Sequence, residues 1–444
     1  MTNKEHPPMT FSAGRYEWRH WPAFQNFKWL VADQGTRLLV GVIIGAWIAR
    51  YLGKTDFGLL NYALALVTIF SSIPRLGMEG LVVREIIRDQ TQAGRWLGTV
   101  MAFRGATACV CSLVSLFLIG FLRPGQPLPS ASVAVLGIGL VGQSLESGEL
   151  FFQARNEMRY LVLPRLGLFL SINAVKVVLV IKGMSVFWFA AITALEQVAG
   201  GCLTVVLLRM ALGKNSRLQF DFLRGWAVLR NSWPLAVAAF SVVVYMKVGQ
   251  LMLSQMMGDA ALGIYSAAIR IPESANFLPM VLASSMLPGL VRNQEMGGDF
   301  YKKSLLRYFR INALLSYAVC IPLCVGSSWI IGVLFHAGYS EAAPVMAVYV
   351  WSLIFVFTGV SRGQHLLNVC STRLSLGFSL LGLGINLLGN LLFIPRMGPM
   401  GVALATVVSY GCSGFLVTFF VPATRHIAQL QGMALLTPWL AFQR

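Results

Sequence analysis

The sequence predicts an all-α membrane protein of about twelve transmembrane helices, arranged as two six-helix bundles related by an internal repeat. Composition, the recurrence of apolar runs and a match between the two halves of the chain carry that prediction. Hydrophobic residues make up 56% of the 444 and charged residues 12%, where a soluble domain carries about 25% charged residues. A bilayer core about 30 Å thick is crossed by roughly 20 apolar residues in a helix, which satisfies every backbone polar group within the segment. Such runs recur along the chain with only short connectors between them, so no stretch is left for a separate soluble domain.

Residues 1–28 are expected to form an interfacial segment. Phe11, Tyr16, Trp18, Trp21 and Phe24 stand among basic residues there, and a helix from Arg15 to Lys28 would sit at headgroup level, where aromatic rings and cations are favoured. It lacks the short apolar core and small-residue site of a cleaved signal. An N-terminal lobe over 29–212 holds spans at Trp29–Arg50, Leu59–Gly80, Trp96–Leu122, Ser132–Phe152, Tyr160–Ile181 and Val186–Met210. A polar, basic linker follows at 213–232. The second lobe, 233–422, holds spans at Trp233–Met257, Leu262–Leu290, Leu306–Phe335, Val345–Val369, Leu374–Ile394 and Val402–Val421, and 423–444 form a tail. Pro272, Pro279 and Pro288 predict a bent eighth span, because proline removes a backbone donor from the helix ladder.

The repeat appears when Tyr51–Ala63 is laid over Met256–Ala268. Gly53, Gly58 and Ala63 then match Gly258, Gly263 and Ala268 at a constant offset of 205 residues, between helices 1 and 2 and between helices 7 and 8. Parallel repeats of this kind are a transporter architecture, with a substrate site between the lobes near mid-membrane and rocking of one lobe against the other.

The formal charge of +18 could point to nucleic acid, but the basic residues lie between apolar runs without an aromatic-interleaved basic patch, so no nucleic-acid partner is expected. Lys and Arg are retained on the cytoplasmic side of a membrane. Of the 35 basic residues, 22 fall on the side of the N-terminus, against Arg50, Lys54, Arg123, Lys182 and Arg396 on the other, which predicts an even number of spans with both termini in the cytoplasm. The seven cysteines lie in apolar runs without a C-x-x-C pair, and the histidines form no H-E-x-x-H, so neither a metal nor a cofactor is expected.

Eight basic residues remain at bilayer depth: Arg37, Arg75, Arg104, Arg165, Lys176, Lys247, Arg270 and Arg362. Their acidic counterparts are Asp33, Glu79, Glu146, Glu149, Glu196 and Glu273. Charge inside a membrane costs several kcal/mol unless it faces a polar interior, so these are default functional candidates. Asp33 with Arg37, and Arg270 with Glu273, are spaced to share a helix face and to neutralise each other. Arg75, Glu79, Arg165 and Arg362 lie near span ends, from which they can snorkel to the interface. Helices 1, 7 and 8 together bring Arg37, Lys247 and Arg270 against Asp33 and Glu273. A cleft lined by them is net positive and suits a phosphate or diphosphate headgroup, which Arg can hold bidentately. Glu146 and Glu149, beside Gln143 and Ser144, form a polar stripe on helix 4 that could bind a coupling proton or cation, or pair with arginines of neighbouring helices.

At this point the chain resembles the polysaccharide-exporting flippases of bacteria. The resemblance rests on Ala49–Ala63, Leu76-Gly-Met-Glu-Gly80 followed by Val83-Arg84-Glu85, Phe152-Gln-Ala-Arg-Asn-Glu-Met-Arg-Tyr160, Ser232-Trp-Pro-Leu235 and Gly258–Ala268, and extends to Arg396-Met-Gly-Pro-Met-Gly-Val-Ala-Leu-Ala405. It implies the two-bundle fold of the multidrug and oligosaccharidyl-lipid exporters, alternating access in the bacterial inner membrane, and an undecaprenyl-diphosphate-linked saccharide met by cavity arginines. Membrane lipids, a polysaccharide polymerase and the export machinery are the further partners it implies. One departure is Gly249, after Tyr245-Met-Lys-Val, where many members of that family carry an acid. Two other functions fit such a chain. A cation-coupled drug or metabolite antiporter of the same fold would prefer an anionic cavity. A polyprenyl-sugar membrane enzyme would be expected to offer a large loop or clustered carboxylates for a metal-bound diphosphate, whereas this chain has short loops and no adjacent Asp pair.

Overall fold

The computed structural model describes residues 22–75, 77–213, 218–283, 286, 290, 298–368 and 372–442. The first 21 residues of the expected interfacial segment lie outside that range. The first lobe comprises α1 (Pro22–Ser71), α2 (Glu79–Arg88), α3 (Ala93–Leu122), α4 (Pro127–Gln143), α5 (Glu149–Ala154), α6 (Arg159–Ile181) and α7 (Val186–Leu212). The second comprises α8 (Phe222–Met257), α9 (Asp259–Ser274), α10 (Gly298–Val325), α11 (Ser327–Phe335), α12 (Ala342–Tyr349), α13 (Ser352–Asn368), α14 (Thr372–Met397), α15 (Pro399–Gly411), α16 (Val417–Phe420) and α17 (Arg425–Leu436).

Ten helices among the described residues are long and apolar enough to cross a membrane. One of them, Asp33–Ser71, takes in most of the first two predicted spans, separated at Gly53 by a non-helical φ of 75° and ψ of 175°, and it ends at Ser71 where the second was expected to reach Gly80. Gly258 makes the same break between α8 and α9, with φ 87° and ψ 170°. Glycine populates this positive-φ region at little cost, which is why the repeat places it there. The predicted eighth span does stop being one helix: α9 ends at Ser274, two residues after Pro272.

Two stretches differ from the sequence reading. The chain is already helical from Phe222, within the expected linker, because the Asp221 carboxylate accepts the Arg224 backbone N–H at 3.2 Å and its own N–H donates to Thr99 Oγ1 at 3.0 Å on α3. The expected tail forms α17, whose Ile427, Ala428, Gln431 and Ala434 are buried on one face. Gln431 Nε2 donates to the Thr358 carbonyl of α13 at 3.0 Å, and Tyr317 of α10 donates to the Leu435 carbonyl at 3.3 Å.

The lobes meet along α1, α8 and α9. Lipid tails are as apolar as leucine, so helix association in a membrane depends on close packing and polar contacts. Both occur at one end of the seam. Lys54 pairs with Glu341 at 2.8 Å, Tyr339 donates to the Ala49 carbonyl at 2.8 Å, Gln255 Nε2 donates to Tyr62 Oη at 2.8 Å, and Arg50 donates to the Val333 carbonyl. Arg123 reaches from the end of α3 to both Asp259 oxygens, at 2.8 and 2.6 Å, and donates to Ser254 Oγ. Arg50, Lys54 and Arg123, all assigned by the sequence to the minority side, thus share one end of the bundle.

Candidate functional site

Most of the charges at bilayer depth divide among three places, and Arg104 with Glu79, in the first lobe, stands apart from them. The first is a chamber of about 380 Å³ inside the first lobe, lined from α1, α5, α6, α7 and the turn at 144–148. Arg37 Nε donates to both Asp33 oxygens at 2.9 and 3.0 Å, and its guanidinium stands 4.9 Å from the centre of the Phe169 ring. The i,i+4 pair expected from the sequence is therefore formed, and it faces the chamber. Arg165 Nη1 binds Glu149 Oε2 at 2.7 Å, its Nη2 stands 3.8 Å from Glu146 Oε1, and both Nε and Nη2 donate to Thr204 Oγ1. Instead of snorkelling, Arg165 turns inward to hold the two glutamates of the polar stripe. Asp33, Glu146, Glu149 and Glu196 face only Arg37 and Arg165 as formal cations in this lining. The chamber is acidic.

The second place is a cavity of about 80 Å³ at the seam, lined by Gly45, Ile48, Phe57, Leu60, Asn61, Leu64, Lys176, Phe189, Thr193 and Arg270. Its charged lining is Lys176 and Arg270, with no carboxylate. Arg270 crosses from α9 to α1: Nη2 donates to the Gly41 carbonyl at 3.1 Å, and the guanidinium occupies the volume a Cβ on Gly45 would take. Arg270 Nε is buried without a hydrogen-bond partner among the described residues. The two cavities are neighbours. Thr193 lines both, and the wall between them carries the Lys176–Glu196 pair, Nζ to Oε2 at 2.8 Å, with Lys176 on the seam side and Glu196 on the chamber side.

The third place is the second lobe. Lys247 Nζ binds both Glu273 oxygens, at 3.1 and 3.0 Å, from α8 to α9. Arg362 is buried on α13, and its Nη1 donates to the Ser413 and Gly414 carbonyls and to Thr418 Oγ1 at 2.7, 3.2 and 2.9 Å. Both carbonyls belong to the π-helical turn at Cys412–Leu416. Arg362 accordingly does not snorkel. Arg104, on α3, binds Glu79 Oε1 at 3.1 Å and the Arg75 carbonyl at 3.2 Å, near the start of α2.

The structure therefore brings Asp33, Arg37, Glu146 and Glu149 to one chamber, sets Arg270 at the seam and pairs Lys247 with Glu273. Among the described residues Arg37 and Arg270 line different cavities, and Lys247 is held by Glu273. Sequence reading left Lys176 unassigned. Its only signal was a lysine interrupting the apolar run of Phe169–Ile181, and the packing of α6 against α1 and α7 decides which way it faces. Nothing in the sequence distinguishes Gly45 from the other glycines.

Comparisons with known proteins agree with this architecture. Over 398 residues the chain is 26% identical to a protein of Haloferax volcanii named probable flippase AglR, covering 87% of this chain and 81% of that one. Its fold superposes on the inward-facing conformation of a multidrug resistance MATE family transporter of the MOP superfamily, with a TM-score of 0.70 at 14% identity, covering 89% of this chain and 96% of that one. It also superposes on lipid II flippase MurJ in an inward closed conformation, with a TM-score of 0.69 at 12% identity, covering 93% and 91%. Residues 23–294, the whole first lobe and the first helices of the second, match the family described as polysaccharide biosynthesis protein, and with that match over more than half its length the chain belongs to this family.

Proposed function

We propose that the protein is a flippase that carries a polyprenyl-diphosphate-linked oligosaccharide, of the undecaprenyl class, from the cytoplasmic to the outer face of the bacterial inner membrane for polysaccharide biosynthesis. One observation carries the reading: the seam cavity is charged only by Lys176 and Arg270. Lys176 is shared with Glu196 across the wall, so the net positive charge of this cavity rests on Arg270, and it favours a diphosphate, which a guanidinium can bind with two parallel hydrogen bonds. The name of AglR, probable flippase, supports a flippase. The saccharide would then occupy the space between the lobes. Among the described residues the bonds between the lobes fall into the cluster at Arg50, Lys54 and Arg123, the Arg270–Gly41 bond near the middle of the first span, and a set at the other end that ties Gln92, Gly94, Arg95 and Thr99 to Gln219, Asp221 and Arg224. With both termini cytoplasmic, as the distribution of Lys and Arg supports, the cluster at Arg50, Lys54 and Arg123 closes the outer end of the seam.

The acidic chamber supports a second role for the first lobe. Glu146 and Glu149, held by Arg165, are placed to take a coupling proton or monovalent cation, and Asp33 with Arg37 closes the same space. Membrane lipids surround the protein, and a polymerase and export machinery would receive the flipped product. The test is deletion of the gene followed by assay of the membrane face on which a lipid-linked saccharide accumulates. Build-up on the cytoplasmic face, relieved by the wild-type chain and not by Arg270→Gln, supports flipping. An unchanged lipid-linked pool with altered drug tolerance points instead to a drug or metabolite antiporter.

A further inference from the structure

Arg270 and Glu273 stand three residues apart on α9, a spacing at which opposite charges ordinarily meet. They do not pair here. Both Glu273 oxygens accept from Lys247 Nζ, and Arg270 turns away to the Gly41 carbonyl and the face of Gly45. Arg270 stands in no described ion pair, and its buried Nε lacks a partner. A guanidinium at this depth that feels Glu273 only through space is costly, and a direct bond to that carboxylate, one helical turn away, would relieve it. What keeps that carboxylate away is the ammonium group reaching over from α8.

We infer that Lys247 is a positioning residue: by holding Glu273, it keeps Arg270 out of a direct ion pair and available to the anionic headgroup, without touching that headgroup itself. The inference rests on the reading of Arg270 as the headgroup site. Its content is a charge balance. Lys247, Arg270 and Glu273 together carry one net positive charge, which the geometry leaves on Arg270. Neutralising Lys247 frees Glu273 to swing to Arg270, and the trio becomes neutral. Neutralising Lys247 and Glu273 together returns the positive charge to Arg270, although a wild-type ion pair has been deleted. A lysine that contacted the headgroup would give the opposite result, since its loss could not be repaired by removing a carboxylate.

The test is binding of undecaprenyl diphosphate to the purified full chain in lipid nanodiscs, with undecaprenol as the control for the hydrocarbon tail. Lys247→Gln is expected to weaken diphosphate binding about tenfold, the scale of coupling between adjacent ionic partners, and to leave undecaprenol binding unchanged. Lys247→Gln/Glu273→Gln is expected to return to within about threefold of wild type, and Lys247→Arg to behave as wild type. Wild-type affinity in Lys247→Gln, or a double variant as weak as Lys247→Gln, overturns the inference. The Arg270→Gln arm separates this from the reading beneath it. If Arg270→Gln binds undecaprenyl diphosphate as tightly as wild type, the headgroup reading itself fails. If Arg270→Gln weakens binding and Lys247→Gln does not, only the positioning role of Lys247 fails.

Discussion

Gly58 and Gly263 each lie against the backbone carbonyl four residues before the other. A Cβ on Gly58 would overlap the Asp259 carbonyl, and a Cβ on Gly263 would overlap the Lys54 carbonyl. The 205-residue offset that exchanges the glycines also exchanges their partners. A repeat legible as two short strings of residues is thus a local two-fold contact, and it brings the backbones of α1 and α9 together where the seam is sealed. Small residues are the means by which membrane helices approach this closely.

Gly58→Ala and Gly263→Ala are therefore expected to act alike. Either methyl drives α1 and α9 apart and destabilises the sealed state by about 1–3 kcal/mol, the usual cost of overpacking. Labelling of a cysteine placed at Asn61, in the seam cavity, by an impermeant maleimide added from outside should rise in both variants. Equal labelling in wild type and variants would mean that the seam absorbs the methyl without opening.

Arg123 closes the same end electrostatically, with a two-pronged contact to Asp259 and its guanidinium 3.9 Å from the centre of the Tyr62 ring. Its side chain is 6% exposed and that of Asp259 is 17% exposed. Removing one member of a largely buried pair leaves the other uncompensated, at about 3–5 kcal/mol. Arg123→Gln and Asp259→Asn should each lower the unfolding temperature and open this end of the seam to the same maleimide. The double variant should lose less than the two losses combined. Additive losses would show that the two side chains act independently.

The spans were legible because each is an apolar run of bilayer length, and the break at Gly258 because its counterpart at Gly53 has the same neighbours. The partners of the buried charges were not. Arg123 follows an apolar run and looks like a connector residue, and it is buried only because Asp259 and Tyr62 arrive from elsewhere in the chain. Arg270 and Glu273 have the spacing of a pair, and a lysine on another helix wins the carboxylate. Arg362 sits near a span end, but the π-helical turn of a neighbouring segment gives it carbonyls to bind. Periodicity fixes which residues share a helix face. It is silent on which helix that face meets, and the site consists of such meetings.

Gly45 is predicted to matter as much as the arginine it accommodates. Alanine there would place a methyl inside the present volume of the Arg270 guanidinium and push it out of the seam cavity. No charge is removed, so an effect on headgroup binding reports position alone. Gly45→Ala should lose transport of the lipid-linked saccharide to within about threefold of the loss in Arg270→Gln, and the two together should be no worse than either. Full transport by Gly45→Ala would show that Arg270 functions from another position.

Gly249, where an acid was expected from the family pattern, sits against α14 and α15. A Cβ there would stand 2.8 Å from Val402 Cγ1 and 3.2 Å from Asn390 Nδ2. The Asn390 amide already donates one N–H to Asn386 Oδ1 at 2.8 Å, and its buried carbonyl oxygen, 3.4 Å from the same Cβ position, would meet a new carboxylate as a second acceptor. Restoring the acid is therefore expected to damage this chain. Gly249→Ala should cost about 1–3 kcal/mol from crowding. Gly249→Asp should cost more, because it adds a buried charge without a cation to meet it. Thermal unfolding in detergent, with and without added sodium, separates the outcomes. A progressive loss from wild type through alanine to aspartate, unaffected by sodium, is expected of a site packed around glycine. An aspartate variant that unfolds at the wild-type temperature, or gains stability with sodium, would mean that the pocket accepts an acid and retains room for its ion.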